Sequence, residues 1–246
     1  MNRDCSDIEK TAPESSAVSA ACDLRSHLRL WPVTLAGLAL DLWTKQWAFS
    51  ALDPTASLPV IPRLLSFRRT LNEGALFGLG KGLWLVFIAA SVLALGFVWY
   101  LFSQSTRDRR SLHVALGLIL AGALGNLYDR SFVMADVVRT NRGTCIGLAE
   151  WKGDTVEVGS WPDRKVIQRF HRTADGVSVR RQGVVRDFIK VEAKFGFELY
   201  PWVFNVADAL LVVGVGLLLL NFWWDRREAQ PARVGGTSRP TTPAAS

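Results

Sequence analysis

Long apolar runs, rather than overall composition, place this chain among membrane proteins. Residues 83–102 read LWLVFIAASVLALGFVWYLF without a charge, and a helix rising about 1.5 Å per residue carries such a run across a hydrocarbon core roughly 30 Å thick. Residues 202–224 form a second run with one charge, Asp208. It ends in Asn221, Phe222, Trp223 and Trp224 just before Asp225, Arg226 and Arg227, the aromatic-then-basic order of a membrane interface. Residues 112–128 are shorter and glycine-rich but equally apolar, and residues 30–51 complete the set despite Asp41 and Lys45. The pattern predicts an all-α membrane protein, a four-transmembrane-helix bundle within residues 29–224.

The stretches between the runs predict a small β-rich extracytoplasmic part and a long inserted loop. Residues 52–81 hold Pro54, Pro59 and Pro62, then an apolar-polar mix over 64–71, which suggests short extended pieces at the membrane surface. Within 131–183, β-branched and polar residues alternate over 155–158, 165–170 and 177–181, and Ala174, Asp175 and Gly176 suit a hairpin turn. Residues 1–28 and 229–246, rich in small and polar residues without periodicity, read as disordered tails.

The chain has 246 residues and a formal net charge of +7, and its mean hydropathy of +0.17 is diluted by the polar tails and the long charged stretch. Arg25, Arg29, Arg107, Arg109, Arg110, Arg226 and Arg227 lie beside span ends. They fit membrane topology better than a nucleic-acid footprint, and the positive-inside tendency puts both termini in the cytoplasm. Arg63, Arg68, Arg69 and Lys81 then fall outside, against that tendency. Three scattered cysteines and three histidines without paired spacing point away from a disulfide framework, a zinc site or thiol chemistry.

An ionisable group inside a span costs about 2.5–3.5 kcal/mol at a helix centre, which makes each one a functional candidate. Asn205 and Asp208, three apart on a helix, share a face near the outer end of the fourth span. Asn126, Asp129 and Arg130 lie at the end of the third span that emerges on the same side, where they could instead form a helix cap and ion pair. Asp187 leads back from the insertion, so Asp187 and Asp208 can converge at one outer interface. Two carboxylates a few ångströms apart cannot both ionise easily, so one serves as acid and the other as base, which suits peptide hydrolysis. Asp41 and Lys45, four apart, read as a structural ion pair, and Gly117, Gly122 and Gly125 as sites of close helix packing.

These residues fall into blocks. Residues 121–130 read AGALGNLYDR, residues 185–188 VRDF and residues 204–208 FNVAD, while Asp41 with Lys45 gives D-x-x-x-K and residues 72–77 give N-x-G-A-x-F. In this order they resemble the lipoprotein signal peptidase (signal peptidase II) family of membrane aspartyl peptidases. The resemblance implies removal of signal peptides from bacterial prolipoproteins, before a cysteine already carrying diacylglycerol, with no metal or organic cofactor. It implies a multi-pass protein of the bacterial inner membrane whose partners are lipidated prolipoproteins and membrane lipid; the placement of its basic residues points away from nucleic acid, and a monomer is the expectation. It makes Asp187 and Asp208 the catalytic dyad and has Asn126, Arg130 and Asn205 order the site and hold the substrate backbone. Asp129, Asn72, Gly74 and Phe77 join that set, and Gly74, Phe77 and Gly78 form either a flap over substrate or an ordinary surface turn. Ala121 replaces a glycine of the family pattern, and the 131–183 insertion is far longer than the family's usual loop. Two rivals are a small ion or proton carrier, whose charges should continue across the bilayer, and a catalytically silent relative, against which both aspartates stand.

Overall fold

The computed structural model describes residues 19–74, 84–173, 175–192 and 203–228. Four long helices, α1 (Leu24–Ala51), α2 (Trp84–Gln104), α3 (Arg110–Phe132) and α4 (Val206–Glu228), are joined by nine described strands. Strands β1 (Leu58–Ile61), β2 (Leu65–Asn72), β8 (Val185–Val191) and β9 (Val203–Phe204) form one antiparallel sheet in the order β1-β2-β8-β9. Strands β3 (Met134–Thr140), β4 (Gly143–Lys152), β5 (Thr155–Gly159), β6 (Val166–His171) and β7 (Ser178–Gly183) form a second, in the order β6-β5-β4-β3-β7.

The expectation of an all-α, four-span bundle is therefore corrected twice. Two antiparallel sheets make the protein mixed, and the pairings of β2 with β8 and of β3 with β7 join segments too far apart in sequence for local periodicity to reveal. Among the described residues, only α2, α3 and α4 are long and apolar enough to cross a membrane. Helix α1 is long but carries Asp41, Lys45 and Gln46 in its second half and Pro32 and two threonines besides. Its polarity faces inward: Asp41 and Lys45 are fully buried while Leu35, Leu40 and Trp43 are exposed.

Helix α3 forms the centre, packed between α1 and α4, and small residues let the backbones close. A Cβ on Gly122 would stand 2.4 Å from the Ala207 carbonyl oxygen, and one on Gly125 2.3 Å from Asp41 Oδ2. At the other end of the bundle Ser19 bridges Thr106, and the Ala20 N–H donates to the Ser105 carbonyl. Residues 19–28, assigned from sequence to a tail, thus hold a short 3-10 turn and the start of α1, where Asp23 accepts from Ser26 N–H.

The first sheet sits on the end of α1, where Phe188 packs against Ala48, Phe49 and Leu52. Its register pairs Thr70 with Asp187 and Asn72 with Val185, and on the other side Ile189 with Phe204. The second sheet leaves directly from α3 and returns beside its own start, with Met134 opposite Gly183. The assignments at 1–18, to Ala75, Phe77, Gly78 and Lys81, to Ala174, to Trp202 and to 229–246 lie outside the described residues.

Candidate active site

Helix α4 begins later than its apolar run suggests. Val203 and Phe204 pair with β8 as β9, so Asn205 occupies the N-cap position rather than a helical face. Asn205 Oδ1 accepts from the Asp208 N–H at 3.0 Å, and Asp208 Oδ2 accepts from the Asn205 N–H at 3.2 Å. That reciprocal pair is a capping box, satisfying two of the N–H groups a helix start leaves open. Asp208 therefore stands in the first turn of α4, where the helix dipole favours a carboxylate. The Asn126 amide on α3 adds a hydrogen bond to its Oδ1 at 2.8 Å.

Asp187 comes from β8, an inner strand of the first sheet, and is buried. The Asn205 amide donates to its Oδ1 at 2.6 Å and the Asn72 amide to its Oδ2 at 3.0 Å. Burial pushes the Asp187 carboxyl up to about 7, the neighbouring Asp208 charge adds to the rise, and the hydrogen bonds from Asn72 and Asn205 and the charge of Lys45 oppose it. Asn205 thus touches both carboxyls, one through its side chain and the other through its backbone.

Beneath this pair lies a buried ionic layer. Lys45 meets Asp41 at 2.8 Å and Asp129 at 3.4 Å, all three fully buried, and donates to Asn126 Oδ1 at 3.1 Å. Arg186 holds Asp129 with two guanidinium bonds, 3.1 and 2.7 Å, and donates its backbone N–H to the other oxygen at 3.0 Å. Two acids and two bases from α1, α3 and β8 leave the layer formally neutral, as burial of charge requires. Asp41 also accepts from the Ala207 N–H at 2.8 Å, fixing the start of α4. Asn126 links the two tiers, since its oxygen takes Lys45 and Asn205 while its amide reaches Asp208.

Of the residues singled out from sequence, Asp187, Asp208, Asn126, Asn205, Asn72, Asp129, Asp41 and Lys45 share this connected network. Gly74 joins it through its N–H, which donates to Asn72 Oδ1 at 2.8 Å. Arg130 takes no part in an ion pair with Asp129. Its guanidinium lies over the Phe87 ring at 5.3 Å, its buried Nε has no partner among the described residues, and its charge interacts with Asp187 and Asp208. Phe77 lies outside the described residues. Sequence reasoning missed Arg186, the principal partner of Asp129, whose only signal was a charge between Val185 and Asp187. Among the described residues no group of three or more His, Cys, Asp or Glu is placed to hold a metal ion.

The family described as signal peptidase (SPase) II matches residues 33–224. A lipoprotein signal peptidase of Halalkalibacterium halodurans is 29% identical over 199 residues, covering 80% of this chain and 94% of that protein. One of Desulfitobacterium hafniense is 31% identical over 173 residues, 70% of this chain and 78% of that one. A solved structure described as a bacterial membrane enzyme at 2.3 Å resolution shares the fold, with a TM-score of 0.56 at 22% identity over 85% of this chain and 93% of that one.

Proposed function

The chain belongs to the signal peptidase II family, and we propose that it acts as an aspartic endopeptidase on diacylglyceryl-modified prolipoproteins, with Asp187 and Asp208 as the catalytic pair. The observation that carries this is the joint hold of Asn205 on both carboxyls. The two carboxyls act as one acid–base unit, and burial favours the neutral form at Asp187. The ionised carboxylate takes a proton from a water, whose oxygen bonds to the scissile carbonyl carbon. The protonated carboxyl delivers its proton to the departing nitrogen as the C–N bond breaks, leaving a carboxylate on the signal peptide and a free amino group on the lipidated cysteine. The buried Arg130 Nε, which has no partner among the described residues, supports a part for Arg130 in holding substrate backbone.

The enzyme sits in the bacterial inner membrane as a multi-pass protein with its site at the outer face. Helices α2, α3 and α4 are long and apolar enough to cross. Arg107, Arg109, Arg110, Arg226 and Arg227 gather at the end away from the site, which supports a cytoplasmic side there. Ser19 pairs with Thr106, and Arg109 of the same turn pairs with Asp225 near the end of α4, which supports a shared side for the two chain ends. The lipid chains of the substrate lie in the bilayer beside the bundle, and the signal peptide reaches the site from within the membrane.

Purified protein in detergent micelles, given a diacylglyceryl-modified precursor and read by gel shift, tests the proposal. Asp187→Asn and Asp208→Asn should each remain folded and lose cleavage. Full activity in either variant removes the mechanism.

A further inference from the structure

Glu73 stands between Asn72, whose amide holds Asp187, and Gly74, and it is only 6% exposed. A buried carboxylate needs donors. Its Oε2 accepts from Arg139 Nη2 at 2.7 Å and from Gln182 Nε2 at 3.1 Å. Both donors belong to the inserted sheet, Arg139 on β3 and the fully buried Gln182 on the neighbouring β7. A second contact ties the same sheet to α3. A Cβ on Gly183 would stand 1.8 Å from the Arg130 carbonyl oxygen, so only a glycine lets β7 close on that helix end. The Val184 N–H then donates to the Val133 carbonyl at 3.0 Å. The insertion therefore grips the site at the end of α3 and at the residues that follow β2.

We propose that Glu73, Arg139 and Gln182 are positioning residues through which the inserted sheet aims the Asn72 amide at Asp187. This rests on Asp187 being one of the catalytic pair. Neighbouring residues of an extended chain project to opposite faces, so anchoring Glu73 to the insertion fixes the direction in which Asn72 projects. The Gly74 N–H occupies Asn72 Oδ1, which leaves the amide nitrogen turned to Asp187 Oδ2. Among the described residues the other charged groups acting on Asp187 are Asp208 from α4, Lys45 from α1 and Arg130 from α3, none of which contacts Glu73 in the described hydrogen bonds and ion pairs. A hydrogen bond to a carboxylate favours its charged form, so a misaimed Asn72 displaces the acid–base balance of the pair.

The test uses the full-length protein in micelles with a diacylglyceryl-modified precursor. Glu73→Ala and Arg139→Ala should each lower kcat about ten-fold with KM within about two-fold, as for an interaction made in the transition state. Each should also move the pH–kcat profile upward by roughly half a unit, the direction expected when a donor to Asp187 is lost. Asn72→Ala should give the same displacement, and adding Glu73→Ala to it should cost less than about two-fold more. Glu73→Gln, which keeps an oxygen for both donors, should return kcat to within about three-fold of native. Arg139 is 33% exposed at its side chain, so Arg139→Ala reports even where Glu73→Ala does not fold. Native kcat and pH profile in Arg139→Ala, or full additivity of Glu73→Ala with Asn72→Ala, overturns the proposal. Native activity in Asp187→Asn would instead remove the catalytic assignment on which it stands.

Discussion

Lys45 is the keystone of the buried ionic layer, and its removal yields a sharp prediction. Lys45→Met keeps the length of the side chain but strips the single cation from between Asp41 and Asp129, at 2.8 and 3.4 Å, and the donor from Asn126 Oδ1 at 3.1 Å. Arg186 remains on Asp129, so the layer passes from neutral to one uncompensated negative charge, with Asp41 fully buried. Breaking a buried pair on one side costs about 3–5 kcal/mol, a fall in melting temperature of roughly 6 to 20 °C for a domain of this size. Adding Asp41→Asn restores neutrality and retains an oxygen for the Ala207 N–H, so the double variant should recover about half of the loss or more. Thermal unfolding in micelles, followed by circular dichroism, measures both. A Lys45→Met protein melting within roughly 2 °C of native, or a double variant less stable than the single one, would show that the layer is not held by charge compensation.

Three further outcomes follow from the site. The Asp187 carboxyl, raised from 3.8 to about 7, binds its proton more tightly in the folded state. The stability it contributes is therefore complete below about pH 4 and lost as pH rises through 7; melting temperature against pH should show this fall, and Asp187→Asn should lack it and melt above native at pH 8. Asn205→Asp keeps a capping oxygen but loses the amide donated to Asp187 and adds a third acid, so kcat should drop more than about 100-fold while helix α4 stays folded. Chelators should leave the cleavage rate unchanged, and reversible inhibition by them would expose a metal requirement.

Sequence and structure agree where the physics is local. The described part of the uncharged run, 84–102, lies in α2, and the four-residue spacing of Asp41 and Lys45 became an ion pair. The glycines of α3 did mark close approaches, because a missing Cβ at Gly122 and Gly125 is a local property with a direct packing consequence. What escaped was non-local. Nothing near Asp129 in the chain indicates Arg186, which reaches it from across the insertion, or that β2 and β8 would pair Thr70 with Asp187. The apolar count also overextended α4, since Val203 and Phe204 suit a membrane helix and a β-bridge equally well and only the partner strand decides. Helix α1 shows the converse: a sum over composition cannot tell that its charges turn inward.

Asparagine at position 205 closes a helix and steadies an acid with the same three-atom amide. Aspartate there would have no hydrogen to give, serine would fall short of a second neighbour, and glutamine would overshoot the turn it must close. The residue is thus chosen twice over by independent demands. Were the hold on Asp187 no longer needed, only the start of the last helix would constrain the position, and aspartate or serine would meet that demand equally well.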